Sequence, residues 1–192
     1  MTNLTFAARR ILDTAAELFY TNGINSIGVE RIAAEASVTK KTIYDRFGSK
    51  DALILAYLSE RDECWRHDYV DRYISAAPDS IGSVLAVFDA LEEWITDKGD
   101  RGCAMLNARA ELAQVDHPSR TIAENQKAWL RDRFVAILKE MGLPDAEELG
   151  ATLLILHEGA IVMRFLHAVP DAIANARRAS EQLIVSKTPC PQ

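Results

Sequence analysis

The stretch from Ile32 to Lys50, IAAEASVTKKTIYDRFGSK, says most about the fold of this chain. It predicts a short helix, a tight turn, a second helix from about Lys40 to Phe47 and the start of a third. Ile43 and Phe47 are four residues apart, so they share one face of the second helix and can anchor it on a core. Thr39 stands at the N-cap position of that helix. The opposite face is polar and cationic, which suits entry into the major groove of DNA.

The run from Val38 to Leu53, VTKKTIYDRFGSKDAL, resembles the recognition-helix signature of TetR/AcrR-type transcriptional regulators. Further matching segments bring the resemblance to about Phe6–Leu58, and they are Ala15–Phe19, Asn22-Gly23 and Val29–Ala33. Two positions depart from the family pattern. Gly28 stands where the short helix usually begins with a hydroxyl residue, and Ser37 stands where the turn usually carries glycine.

The resemblance implies an all-α protein with two domains. Residues 1–48 would form a three-helix helix-turn-helix DNA-binding domain. Residues 49–187 would form a helical ligand-binding and dimerisation domain, and residues 188–192 a flexible tail. In the family, the residues matching Tyr44 and Lys50 touch phosphates, and a phenol and a cation beside a helix N-terminus suit an anion. Base-edge contacts are expected from the exposed face of the recognition helix, and the remaining candidates are Thr39, Lys40, Lys41, Thr42, Asp45 and Arg46.

Composition is consistent with a protein that touches DNA through one small surface. The net charge is −6, which argues against an indiscriminate nucleic-acid coat protein. Residues 1–55 carry seven basic and six acidic side chains, so the remaining chain carries a net −7. Three widely spaced cysteines (Cys64, Cys103 and Cys190) form no CxxC pair, and the reducing cytoplasm is the expected location. We predict no membrane span.

The remaining sequence predicts further helices separated by proline and glycine. A long helix follows Ser49, which would cap it, and runs to about Ser75. An amphipathic pattern extends from Ile81 to Ile95. The other predicted helices are Cys103–Val115, one beginning at Pro118, Ala146–Val169 and Asp171–Ser186. The last two are more apolar than one side of a core requires, which favours a dimer interface.

Several body residues are candidate contacts for a small organic effector, aromatic or acyl in character. The candidates are Trp65, Phe88, Cys103, Leu106, Arg109, Trp129, His157 and Arg164. A few polar side chains in the otherwise apolar helices after residue 49 would orient such a ligand, Glu111 and Glu158 among them. An arginine or histidine would hold one polar or anionic group of the ligand. The same polar residues could instead form ion pairs. Cys103 at a helix start could sense electrophiles or could simply pack there.

The pattern favours a homodimeric, ligand-responsive repressor that binds palindromic double-stranded operator DNA. No catalytic residues, metal ligands or cofactor are predicted, because no nucleophile elbow, glycine-rich phosphate loop or HExxH motif is present. One alternative is a ligand-independent DNA-binding regulator or an activator. Another is an all-α enzyme, which would leave the cationic helix Lys40–Phe47 unexplained.

Overall fold

A computed structural model of the protein describes residues 4–112 and 117–188, and all regular elements within those ranges are helices. The predicted all-α fold is therefore confirmed. The helices are α1 (Phe6–Asn22), α2 (Val29–Glu35), α3 (Lys40–Phe47), α4 (Lys50–Cys64), a π-helical segment (Trp65–Asp71), α5 (Arg72–Ser75), α6 (Ser80–Lys98), α7 (Ala104–Glu111), α8 (Ser119–Glu140), α9 (Ala146–Phe165) and α10 (Ala172–Lys187).

The chain divides into two compact units. The first consists of Met1–Asp62 and Ala104–Ala123, and the second of Glu63–Cys103 and Glu124–Gln192. The first unit thus contains α1, α2, α3, most of α4, α7 and the first residues of α8. The functional boundary predicted after residue 48 stays a prediction, because compactness alone does not define which residues bind DNA.

Side-chain caps set the helix boundaries of the first unit. The Thr39 hydroxyl accepts a hydrogen bond from the Thr42 N–H at 3.1 Å and begins α3, as predicted. The Ser49 hydroxyl likewise accepts from the Ala52 N–H at 3.0 Å and begins α4. Gly28 occupies the N-cap position of α2 without a side-chain cap, which is the consequence expected for its missing hydroxyl.

The turn between α2 and α3 is closed by a Schellman motif centred on Ser37. The Val38 N–H bonds the Ala33 carbonyl at 2.9 Å, and the Ser37 N–H bonds the Ala34 carbonyl at 3.1 Å. This arrangement requires a left-handed residue, and Ser37 accordingly has φ 51°. Because the position usually belongs to glycine, Ser37 holds the turn at a cost in backbone strain.

The second unit is built around buried aromatic and aliphatic side chains of α6, α8, α9 and α10. Phe88 and Phe134 are fully buried, with ring centroids 6.3 Å apart. The π-helical segment adds Trp65, Tyr69 and Val70 to the same core. A π turn holds more residues than an α turn, so neighbouring positions such as Tyr69 and Val70 can both be buried.

Some predicted helix ends were wrong. The helix predicted for Ala146–Val169 stops at Phe165, because His167 adopts φ 53° and closes a second Schellman motif with the Ala168 N–H on the Met163 carbonyl. The helix predicted from Pro118 begins one residue later. The helix predicted for Cys103–Val115 is observed as α7 (Ala104–Glu111), and Val115 lies outside the described residues.

In the described part of the chain, no helix is long and apolar enough to cross a membrane. Cys64 and Cys103 are both partly buried, and neither forms a disulfide within the described part of the chain. The third cysteine, Cys190, and most of the predicted flexible tail lie outside the described residues.

Candidate functional site

Helix α3 packs against the core through one fully buried apolar residue, Ile43, and exposes most of its polar side chains. Ile43 has 0% of its surface exposed, while Phe47 is half-buried beside the next turn. Thr42 is half-buried, and its hydroxyl lies 2.9 Å from that of Thr39. The remaining predicted DNA contacts of this helix are all exposed, and they are Lys40, Lys41, Tyr44, Asp45 and Arg46. The structure therefore brings the predicted contacts of α3 onto one accessible surface.

The two lysines of this surface already carry carboxylate partners. Lys40 Nζ donates to Glu30 at 2.8 Å, which brings α2 and α3 together. This hydrogen bond raises the pKa of Lys40 and lowers the pKa of Glu30. Lys41 Nζ donates to Asp45 at 2.9 Å, one helical turn away. A phosphate or base that engages either lysine must compete with its carboxylate.

The turn between α1 and α2 is held by two side chains from outside it. Lys50 Nζ donates to the Ile24 carbonyl at 2.8 Å, and burial lowers the pKa of Lys50. The Glu111 carboxylate accepts from the Asn25 backbone N–H at 2.8 Å. The Asn25 side-chain amide donates in turn to the Glu111 carbonyl, also at 2.8 Å. Glu111, expected as a polar group of the ligand site, thus clamps a turn of the first unit.

In the second unit, His157 lies inside an aromatic cluster. It is 2% exposed, and its ring centroid is 5.8 Å from that of Trp65 and 5.9 Å from that of Phe88. Its Nδ1 is 3.2 Å from Glu158 Oε1, whereas its buried Nε2 has no hydrogen-bond partner among the described residues. Three predicted ligand residues, Trp65, Phe88 and His157, are therefore neighbours, and the buried Nε2 of His157 lies among them without a hydrogen-bond partner in the described residues.

A polar rim adjoins this aromatic cluster. Lys127 Nζ donates to Glu158 Oε1 at 2.9 Å and lies 3.4 Å from Cys103 Sγ. Desolvation opposes ionisation of Glu158, but the His157 hydrogen bond and the Lys127 charge outweigh it and lower the pKa of Glu158 to about 2. Desolvation likewise opposes the charged form of Lys127, yet the negative charges nearby raise its pKa. The pair is ionised at neutral pH.

The other predicted ligand residues lie elsewhere. Trp129 is half-buried on α8 with the Arg66 guanidinium carbon 4.8 Å from its ring centroid, and Arg164 occupies the last turn of α9. Leu106 and Arg109 belong to α7 in the first unit, where Leu106 is 53% exposed. The predicted set is thus only partly brought together, around Trp65, Phe88 and His157.

Lys127 was not predicted from the sequence as a site residue. It is 31 positions from Glu158, so no helical spacing linked the two residues, and its neighbours Gln126 and Ala128 are unremarkable. The available signal was that Lys127 is a cation on the otherwise apolar side of α8, close to Trp129 and Leu130, which could have marked it as a partner for a partly buried carboxylate. Within residues 4–112 and 117–188, no group of three or more histidine, cysteine or acidic side chains could hold a metal ion.

Comparisons with known proteins agree on one family. The profile described as "Bacterial regulatory proteins, tetR family" matches residues 11–57. The HTH-type transcriptional regulator YjdC of Escherichia coli is 21% identical over 177 residues, which are 91% of each chain.

Solved structures extend the similarity over the whole fold. A TetR-family transcriptional regulator from Streptomyces coelicolor is 34% identical, with a TM-score of 0.88, and the match covers 95% of this chain and 96% of that one. A TetR-family regulator from Cytophaga hutchinsonii has a TM-score of 0.82 at 19% identity, over 99% and 100% of the two chains, and supports the fold alone. The protein therefore belongs to the TetR family of DNA-binding transcriptional regulators, which are not enzymes.

Proposed function

We propose that this protein is a homodimeric repressor that binds a palindromic operator and is released from it by a small organic effector. The observation that carries the proposal is the exposed polar face of α3, fixed from behind by Ile43. Two such helices in a dimer would read half-sites about one helical turn (34–36 Å) apart or a multiple of it. A DNA-binding role places the protein in the cytoplasm.

Within α3, different side chains serve different roles. Lys41, Thr42 and Asp45 would contact base edges, since lysine can pair with guanine and aspartate can accept from cytosine. Tyr44 would contact the phosphate backbone, as would Lys50 at the start of α4. Thr39, Lys40 and Arg46 complete the DNA-facing set. Lys50 would have to leave the Ile24 carbonyl, or donate to it and to a phosphate together.

An operator can be selected from a random duplex library with the full-length protein and then used to test these roles. Lys41→Ala should lower affinity and relax the preference at one symmetric pair of positions. Lys139→Ala is the matched control, because Lys139 is also exposed and also paired with a carboxylate, that of Glu147, at 2.6 Å. Failure to enrich any symmetric site would refute the proposed operator, and equal effects of both variants would refute the base contact.

Homodimerisation is supported by apolar side chains left on the surface of the last two helices. The exposed ones are Ile155, Met163 and Phe165 on α9, Leu166 just after it, and Leu183 and Val185 on α10. Members of this family act as dimers. Ile155 is 70% exposed, whereas Leu156 is half-buried and Ile161 buried, so a charge at Ile155 tests the surface without disturbing the core.

Ile155→Glu should convert the dimer to a monomer in light scattering at micromolar concentration and abolish operator binding. Ala136→Glu provides the control, because Ala136 is an exposed alanine on α8, outside the proposed interface. A monomeric wild-type protein, or a dimer that survives Ile155→Glu, would contradict this interface.

A further inference from the structure

We propose that His157 Nε2 is the hydrogen-bond acceptor of the effector site, and that the site takes an uncharged, flat aromatic molecule carrying a hydrogen-bond donor, such as a phenol or an indole. The proposal rests on the proposed function, because it assumes that the second unit binds a small effector. It narrows the polar or anionic group expected from the sequence to an uncharged hydrogen-bond donor.

The contact with Glu158 determines which ring nitrogen of His157 carries the proton. Glu158 is ionised, so its Oε1 can only accept, and the contact of 3.2 Å requires Nδ1 to carry the hydrogen. In the neutral imidazole, Nε2 then has a lone pair and no hydrogen. The Glu158 carboxylate therefore fixes the tautomer and makes Nε2 an acceptor.

The acceptor is buried where a polar atom needs a partner. Nε2 has less than 1 Å² of accessible surface and no hydrogen bond among the described residues. Leaving such an atom unpaired is unfavourable, so a ligand with a donor that reaches it gains affinity. An uncharged O–H or N–H meets this need, whereas a carboxylate would bring a second acceptor.

The surroundings select an aromatic molecule. The rings of Trp65 and Phe88 lie against His157, and Trp94 lies against Trp65 in an edge-to-face arrangement with centroids 5.5 Å apart. A flat ring can extend such edge-to-face and stacked contacts. Lys127, beside this cluster, is bound to Glu158, and Arg164 is seven residues further along α9, about 10 Å of helix rise.

Solvent reaches the polar edge of this cluster. The Lys127 and Glu158 side chains are each 29% exposed, although His157 beside them is buried. A molecule would approach along this charged rim, and because Nε2 has less than 1 Å² of accessible surface, its ring would reach that atom only by displacing one of the packed aromatic side chains. This combination of an apolar interior and a few polar groups is typical of small-molecule sites.

Three probes of one shape test the acceptor directly on the full-length wild-type protein. 2-Naphthol carries a donor, 2-methoxynaphthalene carries none, and 2-naphthoate carries an anion. Calorimetry should give 2-naphthol a Kd at least about tenfold lower than that of either other probe, which corresponds to one hydrogen bond. Equal affinities, no binding of any probe, or preference for 2-naphthoate would overturn the proposal.

His157→Phe keeps a ring of similar shape among the aromatic neighbours but removes the acceptor. It should remove the preference for 2-naphthol over 2-methoxynaphthalene, while His67→Phe, at an exposed histidine, should retain it. If His157→Phe does not fold, the comparison of the three probes on the wild-type protein still tests whether the site prefers a hydrogen-bond donor. Retention of the full preference in folded His157→Phe would overturn the assignment of the atom.

The same probes separate this inference from the proposed function. Operator binding without 2-naphthol binding would leave a DNA-binding regulator whose acceptor site is refuted. Binding of 2-naphthol through His157 without release of operator DNA would support the site and refute the proposed induction by effector.

Discussion

Replacing Ser37 by glycine should stabilise the protein. Ser37 has φ 51° and an exposed side chain, so the substitution relieves the left-handed backbone and removes few contacts. A left-handed non-glycine residue costs about 1–2 kcal/mol. Glycine also gives the unfolded chain greater conformational freedom, which offsets about 0.4–1 kcal/mol of that gain in stability. The expected net increase in the free energy of unfolding is about 0.5–1 kcal/mol.

Urea unfolding measures this increase. With a denaturant dependence of about 2 kcal/mol/M, the midpoint should rise by about 0.3–0.5 M. Far-UV circular dichroism follows the helices of both units. Tryptophan fluorescence reports on the second unit alone, because Trp65, Trp94 and Trp129 all belong to it. The higher urea midpoint of Ser37→Gly should therefore appear in the unfolding transition followed by circular dichroism.

Two variants control for the backbone argument. His167→Gly removes a second left-handed non-glycine residue and should also stabilise. Gly142→Ala makes the opposite change at φ 74°, where an added Cβ meets nothing within 4 Å, so it should destabilise by about 1 kcal/mol through the backbone alone. A midpoint that is unchanged or lower in Ser37→Gly, while Gly142→Ala behaves as expected, would refute the strain assigned to this turn.

Three further variants test the remaining contacts. Glu111→Ala removes the acceptor of the Asn25 N–H and should lower the free energy of unfolding by about 1 kcal/mol and weaken operator binding, unlike Glu148→Ala on the exposed face of α9. Glu158→Gln should be less stable than wild type above pH 5. Because folding lowers the pKa of this carboxyl from 4.5 to about 2, the wild-type advantage should shrink as pH falls through that window, and a pH-independent difference would contradict it. Lys127→Met should destabilise more than Lys139→Met in urea unfolding, since only the former leaves a half-buried carboxylate without its cation, and equal losses would argue against that pairing.

The start and the buried side of α3 could be predicted almost residue by residue because their signals are local. Thr39 and Ser49 cap adjacent helices through their own hydroxyls, and Ile43 marks the buried side of α3. What the sequence could not indicate is the pairing of Lys40 with Glu30, ten positions away. That contact depends on the angle between α2 and α3, which the turn at Ser37 sets.

The contacts among the candidate ligand residues were predicted less completely because these residues are distant in sequence. Trp65, Phe88 and His157 were each proposed as ligand residues, but nothing in their spacing indicated that their rings would meet. Glu111 could be recognised as a polar residue within a predicted helix, yet its partner Asn25 is 86 positions away. Such contacts follow from how helices pack, and the helical periodicity of one segment does not report on them.

The π-helical segment also affects how this chain should be aligned with its relatives. One residue added to an α-helix turns every later side chain by about 100° around the axis. A widened turn absorbs the extra residue, so a relative with a regular α-helix could keep the same buried face with one residue fewer between positions 65 and 71. An ungapped alignment would then compare Tyr69 or Val70 with the wrong neighbour, and apparent substitutions after this segment would be differences of helix phase.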